Sequence, residues 1–161
     1  MSSWLDVALL AVLIVLNGVF AMSEISLVTS RRARLQRLID DKVAGAERAR
    51  ELNADPNRAL STIQVGITSI GILSGIVGES ALARPMEAFL VMVGLSPETA
   101  KAIGLFVVVV LITYFSIVMG ELVPKRIGQI SPERIACRLA PPIHCLSIIA
   151  APFVKLLSVS T

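Results

Sequence analysis

A carboxylate at the end of a long uncharged run is the most chemically loaded feature of this sequence. Glu121 stands in Met-Gly-Glu-Leu-Val-Pro-Lys, residues 119–125. In an α-helix the N–H of residue 124 bonds the carbonyl of residue 120, but Pro124 has no N–H. The Gly120 carbonyl therefore loses its helical partner, beside a carboxylate and with no Cβ in the way. Hydroxyls are spread over the apolar segments: Ser23 and Ser26 on the first, Thr62, Thr68, Ser69 and Ser74 on the second, Thr113 and Ser116 above Glu121 on the third. Asn17, Glu24 and Gln64 add further polar groups. Carbonyl, carboxylate and hydroxyl oxygens are hard ligands that suit Mg²⁺, Ca²⁺ or Na⁺ better than zinc or copper. Polar groups inside a bilayer are expensive, so each one is a functional candidate. A plainer reading competes: Glu121 snorkels outward and pairs with Lys125 at i+4, Pro124 merely ends a helix, and the hydroxyls bond carbonyls of their own turns.

Other chemistry finds little support. Cys137 and Cys145 form no CxxC or Cys/His pattern and read as small hydrophobes. His144, just after Pro141 and Pro142, reads as structural. Nothing resembles a Ser/His/Asp set, a GxGxxG turn or a Walker loop, so the residues give no argument for an enzyme or for nucleic-acid binding.

The elements that must position Glu121 are membrane helices. Of 161 residues 55% are hydrophobic and only 17% charged, with a mean hydropathy of +0.78. The charges cluster between apolar runs, as they do in loops between membrane helices. About 20 apolar residues cross a hydrocarbon core of about 30 Å. Three runs qualify: about 4–26, about 60–83 and about 102–123. The first opens with Asp6 and has too long an apolar core for a cleaved signal peptide, and Trp4 suits an interfacial anchor. The second is rich in small residues: Gly71 and Gly75 form GxxxG, extended by Gly78, which predicts close packing inside the bundle or at a dimer interface. Arg84-Pro85 is expected to end it, leaving 86–93 as a re-entrant or interfacial stretch.

Between the first two runs, Leu35, Leu38, Ile39, Val43, Ala46, Ala49 and Leu52 recur at helical spacing within a basic stretch. Gly45 predicts a break, hence an amphipathic helical hairpin over 31–55. Asp55-Pro56 reads as an N-cap with proline at the first helical position. After the third run, Pro132 starts a helix over 132–158, whose apolar run is interrupted by Pro141, Pro142 and Pro152. It reads as a juxtamembrane helix lying along the interface, with a fourth span as the alternative. The fold class expected is therefore all-α membrane protein, a single domain over 1–161. Basic residues are dense after the first and third spans and sparse after the second, which places the N-terminus outside and the C-terminus in the cytoplasm.

Three segments together resemble the CNNM transmembrane domain, shared by the haemolysin-C-related CorC/CorB-type bacterial proteins and the CNNM magnesium transporters. They are NGVFAMSEISLVTSRRARLQRL from Asn17, TIQVGITSIGILSGIVGE from Thr62 and GELVPKRIG from Gly120; the tail from Pro132 is similar too. The resemblance implies a homodimer of three-helix subunits in the inner membrane, moving Mg²⁺ out of the cytoplasm against Na⁺ entry through an inward-open cavity. It implies a cation site at Ser23, Ser26, the turn containing Thr68, Ser69 and Gly71, Gly120 and Glu121. Some family members carry Asn where this sequence has Gly71. It also implies cytoplasmic CBS modules in full-length relatives; none is encoded in these residues. The alternative within this frame is a Mg²⁺-binding scaffold or sensor that regulates another transporter and moves no ions itself.

Overall fold

The computed structural model describes residues 3–150, which form six continuous helices. The first, α1 (Ser3–Thr29), carries Asp6 in its first turn, where a negative charge complements the helix dipole. It ends where Thr29 and Ser30 turn their hydroxyls onto the carbonyls of Ile25 and Ser26, both at 2.6 Å. Asn53 closes that end, donating from Nδ2 to the carbonyls of Leu27 at 2.9 Å and Ser30 at 3.3 Å.

The expected hairpin is present as α2 (Arg32–Asp40) and α3 (Ala46–Ala54), broken at Gly45 with φ +79°. A Cβ on Gly45 would strike the Cys137 carbonyl, so this turn needs glycine for its conformation and for its room. The fourth helix, α4 (56–92), runs Pro56–Gly78, a π turn at Glu79–Ala83, and Arg84–Met92. Pro56 does take the first turn, but the Asp55 side chain makes no capping bond; its backbone, at φ −126° and ψ 81°, closes the preceding helix instead. The fifth, α5 (97–130), runs Pro97–Ile117, a π turn at Val118–Leu122, and Val123–Ile130. Ser96 caps it, its Oγ accepting from the Thr99 N–H at 3.4 Å. The sixth, α6 (Pro132–Ile149), begins at a proline as expected. Residues 151–158 of the expected juxtamembrane helix lie outside the described residues, as does Pro152.

One local expectation fails: Arg84-Pro85 does not end the second long helix. Pro141 and Pro142 interrupt the apolar run of α6 but not its helix, which is continuous through them. A helix continues past proline when the carbonyl four residues back is moved aside or served otherwise. Before Pro85 the π turn supplies one extra residue. Before Pro141 the carbonyl concerned is that of Cys137, which faces the bare Cα of Gly45. Residues 86–92 are thus a continuation of α4 packed on α5, with Gly104 set 3.4 Å from the Glu87 nitrogen by its would-be Cβ.

Three helices are long and apolar enough to cross a membrane: Trp4–Thr29 with 26 residues, Ala59–Met92 with 34 and Pro97–Ile130 with 34. The expected spans 60–83 and 102–123 are therefore only the apolar middles of longer helices. The chain is a multi-pass helical membrane protein. Large apolar side chains face outward along all three, among them Val15 and Leu16, Ile72 and Ile76, and Phe106 and Val109, as lipid demands of a surface without water.

Packing separates into two clusters. One joins Leu27, Leu35, Ala49, Leu52, Ile63, Cys137 and Ile143, tying the hairpin and α6 to the ends of α1 and α4. The other joins Leu10, Val108 and Ile112, with Val77 and Met86 against them. The second half of α1 lies between these clusters and packs against α4, α5 and α6. Asn17, Ser23, Glu24 and Ser26 all belong to that half.

Candidate cation site

The contact between α1 and α5 is a seam of glycines. A Cβ on Gly18 would sit 2.8 Å from Pro124 Cγ and 3.3 Å from the Met119 carbonyl. One on Gly120 would sit 3.4 Å from the Ile14 carbonyl, and one on Gly128 would sit 2.5 Å from Ile25 Cγ2. Close backbone approach of this kind is how membrane helices gain contact without a hydrophobic driving force. It also draws the backbone of the α5 π turn into reach of short side chains on α1.

Within that turn the Val123 N–H donates five residues back, to the Val118 carbonyl. Pro124 is buried directly beyond it. The Gly120 carbonyl, which loses its helical donor to Pro124, is not left bare. Asn17 Nδ2 donates to it at 3.0 Å. The other end of the same amide is orphaned: Asn17 Oδ1 is buried and has no hydrogen-bond partner. A buried acceptor without a donor is costly and calls for a reason.

Glu121 projects from the π turn and meets Lys125, whose Nζ lies 2.8 Å from its Oε1. The plainer i+4 pairing is thus realised, but it is half of a larger arrangement. The same Nζ lies 3.2 Å from Glu24 Oε2 on α1. One ammonium therefore bridges two carboxylates from two helices.

Ser23 and Ser26 are completely buried. Their hydroxyls donate within α1, Ser23 to the Val19 carbonyl at 2.7 Å and Ser26 to the Ser23 carbonyl at 3.0 Å. A hydroxyl that donates still offers oxygen lone pairs, so this bonding satisfies the proton and leaves each oxygen able to accept. Thr68, Ser69 and Gly71 fall elsewhere. All three are exposed, and a Cβ on Gly71 would meet nothing within 4 Å. Of the expected ligand set, Gly120 and Glu121 lie on the α1–α5 seam, Ser23 and Ser26 are buried on the same half of α1, and the α4 turn is left on an open flank. Gly75 is open too, whereas Gly78 packs on Ile112, so the small-residue stripe divides between an inner and an outer face. Among the described residues no three His, Cys, Asp or Glu side chains converge as a metal cluster. A cation on the seam would rely on hydroxyl, amide and carbonyl oxygens beside the carboxylates.

Sequence reasoning named Asn17 and Glu24 as polar groups without placing them in the site. Their signal was spacing. Seven residues are close to two helical turns, so Asn17 and Glu24 share the face of α1 that meets α5.

Fold and seam together define a three-span helical membrane domain with an acid-bearing polar track between its first and third long helices. Residues 8–161 match the family described as the Cyclin M transmembrane N-terminal domain, CNNM, and the chain belongs to that family. Among its relatives are the UPF0053 protein sll0260 of Synechocystis, 44% identical over 98% of this chain and 35% of the relative, and the Polyamine export protein of Escherichia coli K12, 32% identical over 88% of this chain and 32% of the relative. UPF0053 protein YhdT of Bacillus subtilis is 33% identical over 93% of this chain and 32% of its own length. The chain thus spans about a third of the length of these relatives.

Proposed function

We propose that this chain is the membrane domain of a divalent-cation transporter that moves Mg²⁺ out of the cytoplasm in exchange for Na⁺, with Glu121 as its principal ligand. The observation that carries the reading is the seam itself, where Glu121 and Glu24 meet a single ammonium while the neighbouring Asn17 Oδ1 is buried without a donor. Half a turn of the Asn17 amide would exchange its oxygen and nitrogen, setting two carbonyl oxygens at the 3.0 Å that now separates Nδ2 from the Gly120 carbonyl. Ligands about 2.0–2.1 Å from Mg²⁺ in an octahedron stand about 2.9 Å apart along an edge. Glu121, Ser23 and Ser26 supply the remaining oxygens. Thr68, Ser69 and Gly71 join the set if α4 turns its open flank to the cation path, and that flank, with Gly71 and Gly75, is the proposed contact between two copies of the chain. The basic residues of 31–58 and 125–138 support a cytoplasmic location for the hairpin and α6 in the cell membrane, with the N-terminus outside.

Proteoliposomes containing a Mg²⁺-sensitive dye test this. Wild-type chain should conduct Mg²⁺, whereas Glu121→Ala and Ser26→Ala should reduce the flux at least tenfold without unfolding the protein. Undiminished flux in both variants would refute the proposal. Mg²⁺-dependent thermal stabilisation with no flux in the wild type would instead favour the scaffold or sensor role.

One observation favours a second substrate class. The cation held by Glu24 and Glu121 is a primary alkylammonium, chemically the end of a polyamine, and one relative is named a Polyamine export protein. Radiolabelled 1,4-diaminobutane in the same vesicles separates the readings. Diamine flux that Mg²⁺ does not inhibit would favour the amine.

A further inference from the structure

Lys125 is the one basic side chain within 4.0 Å of either Glu24 or Glu121 among the described residues. It could reach both its i+4 partner and open surface by snorkelling. Instead its ammonium is held between carboxylates on two different helices, 2.8 Å from one and 3.2 Å from the other, with its side chain about 31% exposed. The charges are two negative and one positive, so the trio carries a net −1. Without the lysine, two carboxylates would face each other at −2, an arrangement in which each raises the cost of ionising the other.

We propose that Lys125 is a tethered counter-ion that sets the selectivity of this site: it offsets half the charge of the acidic pair when no ion is bound and must swing off the pair for a cation to take its place. The inference rests on the reading of Glu121 as a cation ligand. The exchange favours one charge class. Na⁺ carries the same single charge as the ammonium and donates no hydrogen bonds, so replacing Lys125 with Na⁺ gains little. A divalent ion brings twice the charge to the same two carboxylates and takes the pair to neutrality while the lysine moves into water. The tether thus filters monovalent ions by competition at a fixed, high local concentration, in the way a linked ligand competes with a free one. Binding and departure of the lysine involve no covalent step, only rotation of its flexible stem.

Substitution then has opposite effects according to charge. Lys125→Met keeps the stem's bulk and removes the competitor. Unit charges at these distances interact strongly even at an effective dielectric near 20, so Mg²⁺ affinity should rise about tenfold or more, and Na⁺ should now compete measurably. Lys125→Arg keeps the charge and adds a planar fork that grips carboxylates bidentately, so Mg²⁺ affinity should fall.

The test is calorimetric titration of the detergent-solubilised chain with Mg²⁺, in choline chloride and then in NaCl at equal ionic strength, for wild type, Lys125→Met, Lys125→Arg and Glu121→Gln. Tighter binding with new Na⁺ sensitivity in Lys125→Met, and weaker binding in Lys125→Arg, support the proposal. Binding lost in Glu121→Gln but unchanged or weaker in Lys125→Met overturns it and leaves the cation site standing; Lys125 is then a clamp between α1 and α5. If Lys125→Met does not fold, an unchanged affinity in Lys125→Arg overturns it equally. Mg²⁺ binding that ignores Glu121→Gln removes the site and this proposal with it.

Discussion

Asn17 must satisfy two polar groups with a single amide, and it satisfies one. Its Nδ2 replaces the donor that Pro124 cannot provide, while its Oδ1 stays buried without a partner. Removing the amide exposes the cost of the Gly120 carbonyl: Asn17→Ala should lower stability by about 1–2 kcal/mol, read as a lower Tm of the purified protein, and an unchanged Tm would count against the bond. The two cysteines make a second contrast at this scale. Cys137 is buried and Cys145 exposed, and burial pushes the Cys137 thiol above its ordinary value. The thiolate is the reactive form, so near neutral pH a maleimide should label Cys145 and spare Cys137, whose labelling should appear only as pH rises well above the usual thiol range. Equal labelling of both at neutral pH would contradict the packing of α6 on the hairpin. Residue types were largely legible in the sequence, since a carboxylate or an amide in an apolar run announces itself. Partners were less so. The pairing of Glu121 with Lys125 was visible at i+4, but the second carboxylate comes from a different helix, and no local spacing contains that distance.

Two π turns carry the long helices past their prolines, and the second bears Gly120 and Glu121 of the candidate site. Each of the two precedes a proline by two residues, ending at Ala83 before Pro85 and at Leu122 before Pro124. A π turn widens the helix by one residue and turns side chains that regular spacing would direct elsewhere, which is why such turns recur at functional positions. The local rule that proline ends a helix therefore read Pro124 correctly as the point where a carbonyl loses its donor, but Pro85 and Pro124 are not stops, since both helices run on past them. What overrides the rule is tertiary: Gly45 makes room for the Cys137 carbonyl, and Gly18 makes room for Pro124 itself. Gly18→Val should then be more damaging than a valine in a membrane helix ordinarily is. Its Cβ would stand 2.8 Å from a rigid, buried ring, and overpacking of this kind costs about 1–3 kcal/mol. A Tm equal to wild type would mean that α1 and α5 do not approach as closely as described.

Across the whole molecule, composition alone carried the architecture. Three apolar runs separated by basic loops leave few alternatives in a bilayer, because each backbone must satisfy itself within its own helix. The lengths of the helices were not legible, since charge marks where lipid ends and not where a helix does. Ala59–Met92 and Pro97–Ile130, at 34 residues each, rise about 51 Å at 1.5 Å per residue and so exceed a bilayer core of about 30 Å. The division of the α4 glycines was likewise not legible from local spacing: Gly78 serves this chain's own packing, whereas Gly71 and Gly75 face open space. Leucine at both Gly71 and Gly75 should leave helical content and the α1–α5 seam intact while shifting the proposed dimer toward monomer in cross-linking within membranes. A dimer fraction equal to wild type would move the interface elsewhere.

Glu121 is proposed to bind the cation that crosses this domain. The measurement that tests this role most directly is Mg²⁺ release from Mg²⁺-loaded proteoliposomes on adding external Na⁺, with wild type and Glu121→Gln reconstituted side by side at equal density. Na⁺-triggered release is expected from the wild type and, from the folded Glu121→Gln protein, release no faster than from empty liposomes. Equal release from the two proteins would contradict that role.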